Sequence, residues 1–247
     1  MGVEGNMPGT QEKTVSEIAA GSLAAVRVFE RLGIDYCCGG KRPLAEACRE
    51  KGYDPAAVLG ELDSVAAASE APSRDWNHAP LKEVIEHIVT THHDYLNREL
   101  APLSARIEKV YKTYNEKYGP ALTGLPEVFF GLRSELEMHT RKEEMILFPA
   151  IAAYETAVEA GSPLPQTPFG TVANPIRMME AEHDSAGNAL ADIRRITANY
   201  AIPEYACVTY RSLMAGLQEL EQDLHLHIHL ENNILFPRAI ALENSRR

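Results

Sequence analysis

His227-Ile-His-Leu-Glu231-Asn-Asn-Ile-Leu-Phe-Pro237 has a near copy upstream, His139-Thr-Arg-Lys-Glu143-Glu-Met-Ile-Leu-Phe-Pro149. Each reads His-x-x-x-Glu and ends in Ile-Leu-Phe-Pro. In a helix, positions i and i+4 lie one turn apart on the same face, so each copy aims an imidazole and a carboxylate at one point. The duplication extends backwards. His93-Asp94 precedes the first copy and His183-Asp184 the second, at almost equal separations. The second half of the chain therefore reads as one helical hairpin used twice, and together the hairpins offer four His and two Glu.

Working outward, the pattern from Pro80 onward is helical and has no period-two stretch. Helices are expected over about 80–116, 126–159 and 175–199, with a fourth starting at Pro203 and ending near Leu242. Gly119-Pro120 to Pro126 is read as a turn, and Gly161 to Pro175, rich in proline, as the connector between the halves. The expected fold is all-α, an antiparallel four-helix bundle over 80–243. Before it, residues 14–63 carry short helix-spaced apolar sets and read as a small helical domain. Residues 64–79 read as a linker docked by Trp76.

Helical spacing selects the inward histidines. His93 shares a stripe with Val89, Leu96 and Leu100, and His183 with Met179, Ala186 and Leu190. His92 sits about 100° round from His93 and is expected to look elsewhere. His225 and His229, about 200° round from His227, are expected to face solvent. Imidazole with carboxylate suits iron, manganese or zinc rather than calcium. Glu143 and Glu231 can bridge two cations, while His93, His139, His183 and His227 occupy terminal positions. Glu135, one turn before His139, and Glu182, beside His183, are candidates either for a proton-handling carboxylate or for solvated surface. The Ile-Leu-Phe-Pro tails are expected to supply core and kink.

Net charge is −11 and 45% of the 247 residues are hydrophobic, so nucleic acid and anionic membrane are poor partners and a sizeable core is affordable. The N-terminal segment Met1–Lys13 lacks a signal-peptide pattern, which makes a cytoplasmic protein the expectation. The cysteines (Cys37, Cys38, Cys48 and Cys207) are too few for a disulfide framework. Cys48 and Cys207 are expected to be structural. Cys37-Cys38-Gly39-Gly40 opens a helix. Its N-terminal amides, with Lys41 and Arg42, are expected to lower the thiol pKa. The pair could receive or deliver iron, completed by partner thiols such as those of a second subunit, or could simply be two small side chains in a tight loop.

A ferritin-like site would want Glu-x-x-His twice, and here it occurs among the chosen histidines only as Glu180-Ala-Glu-His183. The His-rich set resembles hemerythrin-like domains. With Asp35-Tyr-Cys-Cys-Gly-Gly added, the chain resembles the iron–sulfur cluster repair di-iron proteins known as repair of iron centres, over about residues 14–243. That resemblance implies two irons per chain with an oxo- or hydroxo-type bridge, and with Glu143 and Glu231 as bridging carboxylates. It also implies repair of iron–sulfur proteins damaged by nitric oxide or oxidants, with nitric oxide or dioxygen as the small ligand. A homodimer through the N-terminal domain is a further expectation. The competing readings are a hemerythrin-like oxygen or nitric oxide carrier or sensor, and a nitric oxide reductase.

Overall fold

The computed structural model describes residues 13–68, 74–118 and 122–246. Residues 1–12, residues 69–73 of the expected linker, residues 119–121 of the expected turn and residue 247 lie outside the described residues. The described residues contain no strand, only a single bridge between Thr14 and Pro43. No helix among them is long and apolar enough to cross a membrane. The fold is all-α, with a bundle of long helices after a small helical region. The chain divides into two compact units. One is Met1–Ala79 with Ile228–Ile234, and the other is Pro80–His227 with Leu235–Arg247.

In the first unit, α1 (Val15–Gly21) starts at a reciprocal cap. The Glu17 N–H donates to Thr14 Oγ1 at 3.2 Å, and the Thr14 N–H donates back to the Glu17 carboxylate at 2.8 Å. Ser22 caps α2 (Leu23–Leu32), which ends at Gly33 with φ 63°, a left-handed conformation open to glycine. Helices α3 (Leu44–Glu50) and α4 (Pro55–Ala68) follow. Val15, Phe29, Leu44 and Cys48 form its dry interior.

The second unit is built from four rods. The first comprises α5 (Leu81–His87), the π-helical turn π1 (Ile88–His93) and α6 (Asp94–Tyr118). The second comprises α7 (Leu125–Lys142), π2 (Glu143–Leu147) and α8 (Phe148–Glu159). The third is α9 (Ala173–Ile196). The fourth comprises α10 (Val208–Leu230), π3 (Glu231–Leu235) and α11 (Phe236–Asn244), of which Ile228–Ile234 are grouped with the first unit. Leu103, Ile107, Phe129, Leu132, Leu190, Leu217 and Leu224 fill the core between rods. The two open amides at the start of α5 donate to one side chain, Glu155, at 2.6 and 2.9 Å.

The fourth rod begins at Val208 rather than at Pro203. Ala198, Asn199 and Tyr200 are all left-handed (φ 50°, 60° and 57°), and Pro203 opens a turn closed by the Ala206 N–H. Such a run of non-glycine residues is costly and needs over-determination. Arg194 supplies it. Its guanidinium binds Asn199, lies over the Tyr200 ring at 5.3 Å, and pairs in a two-pronged contact with Glu221, which is 2% exposed. Arg194→Met leaves that carboxylate buried and uncompensated. Because the arginine is half-exposed, the expected loss is toward the lower end of the range for broken buried pairs, about 3 kcal/mol in urea unfolding. Adding Glu221→Gln should recover much of it, and a strictly additive double mutant would contradict the coupling.

Candidate metal centre

Among the described residues, the π-helical turns occur where the ligand candidates stand. His93 closes π1, Glu143 opens π2 and Glu231 opens π3. A π turn inserts one residue, and such insertions cluster at functional sites. The sequence accommodates the second and third with proline. In a regular α-helix Pro149 would press on the Met145 carbonyl and lack the N–H to bond it. The π turn relieves this, and the Phe148 N–H reaches back five residues to the Glu143 carbonyl.

The structure brings all six candidate ligands together in two overlapping groups. His93, Glu143, His227 and Glu231 form one, and His139, Glu143, His183 and Glu231 the other. Ligand atoms within each group lie within 4.8 Å of one another, every member is buried, and the two glutamates belong to both. His93 Nε2 is 3.2 Å from His227 Nε2, and His139 Nε2 is 3.0 Å from His183 Nε2.

The outer ring nitrogens decide the tautomers. His93 Nδ1 lies 2.7 Å from Glu144, and His139 Nδ1 lies 2.8 Å from Glu182. An ionised carboxylate only accepts, so Nδ1 carries the proton and each Nε2 presents a lone pair inward. Glu143 is completely buried, and neither carboxylate oxygen has a hydrogen-bond donor. One oxygen faces His139 Nε2 at 3.3 Å and the other His93 Nε2 at 3.4 Å. A dry carboxylate that receives no hydrogen bond is costly unless something else compensates it. The buried imidazoles and carboxylates fit a metal cation.

The motif tails contribute more than core and kink. The Phe148 ring stacks on His93 at 5.8 Å and the Phe236 ring on His183 at 6.0 Å, the same device in each hairpin. Glu182 also pairs with Lys142. Partial burial works against its ionisation, but the Lys142 and His139 hydrogen bonds overcome that and hold its carboxyl below the ordinary range. Glu135 is exposed, accepts from Ser185 Oγ at 3.0 Å and is not in either group.

Two histidine orientations differ from expectation. His92 does not look outward. It is buried, stacks parallel on His227 at 5.3 Å, and its Nδ1 is 2.9 Å from Asp223 Oδ1. It lies inside π1, where a 3.6-residue wheel misplaces side chains. His229 is buried as well, whereas His225 is half-exposed. Its Nδ1 is 2.9 Å from the Asn233 amide, and the Tyr36 ring meets it edge-on at 5.4 Å. Burial pushes its imidazole down to about 4, against a smaller upward pull from a backbone hydrogen bond at Tyr36. The folded state thus keeps His229 neutral while the unfolded chain protonates near pH 6.5. Stability is therefore full above pH 6.5 and falls until about pH 4. On the order of 3 kcal/mol should be lost from metal-free protein across that window, and His229→Gln should flatten the curve. Chemical unfolding at stepped pH measures it.

The cysteines also depart from expectation. The amides of Cys37, Cys38 and Gly39 all donate to the Asp35 carboxylate, at 3.0, 3.0 and 2.8 Å, so they are not available to a thiolate. The Cys38 sulfur, burial and Asp35 push the Cys37 thiol well above its ordinary range, the reverse of the expected direction. Cys48 is buried. Cys207 is exposed rather than packed. Hydrogen bonds from the Tyr210 backbone and the Tyr114 side chain, outweighing a slight burial cost, hold its thiol below the usual value.

Rods with this histidine–carboxylate arrangement define a class. The chain belongs to the hemerythrin HHE cation-binding family, whose model matches residues 84–239. Residues 11–66 match a domain of unknown function, DUF542. Over 235 residues the chain is 37% identical to an iron-sulfur cluster repair protein, YtfE, of Citrobacter koseri, and 38% identical to the YtfE of Escherichia coli O81. The YtfE of Shigella boydii serotype 4 is 37% identical. Each comparison covers 94% of this chain and 99% of the relative.

Proposed function

We propose that this protein repairs iron–sulfur clusters damaged by nitric oxide or oxidants, using two irons held side by side in the bundle. His93 and His227 would hold one iron and His139 and His183 the other, with Glu143 and Glu231 belonging to both groups. The observation that carries the reading is Glu143, a buried carboxylate without a donor whose two oxygens face different histidines. The names of the relatives supply the substrate class, damaged iron–sulfur proteins. When bound, the irons supply a redox-active pair that can take up nitric oxide or dioxygen, or be handed on.

The chain's own residues hold that pair in place. Glu144 and Glu182 fix the rings of His93 and His139, and Phe148 and Phe236 keep water from one face of each pocket. Glu182 acts as an ionised positioning group, while Glu135 is left to solvent or to transient proton handling. Cys37 and Cys38, on a small domain whose last helix runs to Ala68, past the expected boundary at 63 and into the expected linker (64–79) before the bundle (80–243), act as the iron-handling thiols, with a second copy of the chain as the dimer partner to be sought in sedimentation. The test is reactivation of a nitric oxide-damaged [4Fe–4S] dehydratase by purified iron-loaded protein. The wild type should restore activity, and the Glu143→Gln protein should not. Equal restoration by both would end the proposal. Retained nitric oxide affinity without any reactivation would favour a carrier instead, and sustained nitrous oxide release with an electron donor would favour a reductase.

A further inference from the structure

The Cys37–Cys38 pair has a geometry that the reading above does not use. The two sulfurs lie 3.8 Å apart. Two thiolates on one tetrahedral ion, each at about 2.3 Å, are separated by about 3.8 Å. A disulfide between neighbours needs about 2.05 Å and a distorted peptide, so the loop holds a dithiol at chelating distance, not at bonding distance.

That spacing is built by the backbone. Asp35 gathers three consecutive amides onto its two oxygens and also accepts from Cys37 Sγ at 3.4 Å. A Cβ on Gly39 would come within 2.8 Å of Asp35 Oδ2, and one on Gly40 within 2.4 Å of the Tyr36 carbonyl, so the turn closes only with both glycines. The Ser16 N–H then clamps Gly40 O at 2.8 Å, and the Asn233 amide donates to the Tyr36 carbonyl at 3.1 Å. Cys37 is nearly buried and Cys38 half-exposed, which leaves the outer side of the pair approachable.

We propose that Cys37 and Cys38 form a preformed bidentate site for one thiophilic divalent cation, such as Fe²⁺ or Zn²⁺, with its two remaining positions open to water or to ligands of a receiving protein. Loading breaks two S–H bonds and forms two metal–sulfur bonds. Two protons pass to water, and no electron moves. Asp35 is a positioning residue that sets the bite through the backbone. The hydrogen bond to the Cys38 sulfur, burial and the Asp35 charge hold the Cys37 proton back, which suits a site of passage rather than storage.

The proposal deepens the reading of the pair as iron-handling thiols, and its test is separate from cluster repair. Co²⁺ is titrated anaerobically into full-length, iron-loaded protein, and sulfur-to-cobalt charge-transfer absorption is followed. The bundle ligands contain no sulfur, so the band reports thiolates alone. About one equivalent is expected to saturate it. Cys37→Ser and Cys38→Ser should each abolish the band, and Cys207→Ser should keep it. Phenylarsine oxide, which captures closely spaced thiols, should block it in the unmodified chain, a readout that needs no variant to fold. Gly40→Ala should weaken binding tenfold or more while far-ultraviolet helicity is retained. No band, a band surviving Cys38→Ser, or a band indifferent to the arsenical overturns the proposal. Cysteine-dependent repair without cobalt binding would sink this inference alone. Cobalt binding with cysteine-independent repair would instead remove the functional role assigned to the thiols.

Discussion

Glu143→Gln protein is expected to leave the cell with fewer than about one iron per chain, against about two expected of the wild type. It should also be more stable than the wild type once both are stripped of metal. The two results have one cause. Glu143 is fully buried, and its oxygens face ring nitrogens that present lone pairs. Without cations this is an uncompensated buried charge, which costs several kcal/mol. Glutamine keeps the shape, removes the charge and donates an N–H to one of the facing imidazoles. The apo variant should therefore gain on the order of 1–3 kcal/mol over the apo wild type. Elemental analysis reads the first effect, and thermal unfolding after chelation the second. An apo variant that melted below the apo wild type would mean that Glu143 makes a structural hydrogen bond, and its assignment to two cations would fail.

Removing metal from the wild type should lower the unfolding temperature markedly. Six buried ligands come from all four rods, so the cations act as cross-links that the unfolded chain does not provide. At free metal a thousand times above the dissociation constant, each position contributes about 4 kcal/mol. In a chain of this length, every kcal/mol moves the midpoint by about 2–4 °C, so the combined shift is on the order of 15–30 °C. Acid should produce a related loss, because the four imidazoles must stay unprotonated to bind metal. That release should track the iron absorbance, whereas the His229 effect persists in stripped protein and separates from it. Chelation that left the midpoint unmoved would place the metal elsewhere.

Which parts were legible beforehand follows from periodicity. The duplicated His-x-x-x-Glu copies lie where the helix is still regular or just entering its π turn, so i and i+4 share a face in both hairpins. His93 and His183 sit on stripes of Val and Leu or Met and Leu that a helical wheel reads without ambiguity. His92 and His93 both close π1, where the 3.6-residue period fails, and both rings are buried, whereas a regular wheel allows only one of two neighbours to face inward. His229 was misplaced for a different reason. The wheel assumes one buried face, but this part of the fourth rod is covered on a second side, where Tyr36 meets the ring. Arg194 and its hold on Ala198–Tyr200 left no local signal, since Glu221 is distant in sequence and no glycine marks the left-handed run.

The sequence by itself determined the helical architecture, the twofold repeat of the ligand pattern and the residue types offered to metal. These are properties of spacing along one helix, and spacing is written in the chain. The tertiary structure decided the tautomers, through Glu144 and Glu182. It decided the shared position of Glu143 and Glu231 and the direction in which the Cys37 thiol is shifted. Each of these depends on which group from a separate segment reaches a given nitrogen, oxygen or sulfur. Asp35 shows how short that range can be. Two residues from Cys37, it takes the amides that would otherwise stabilise a thiolate, and only the folded turn reveals that the carboxylate arrived first.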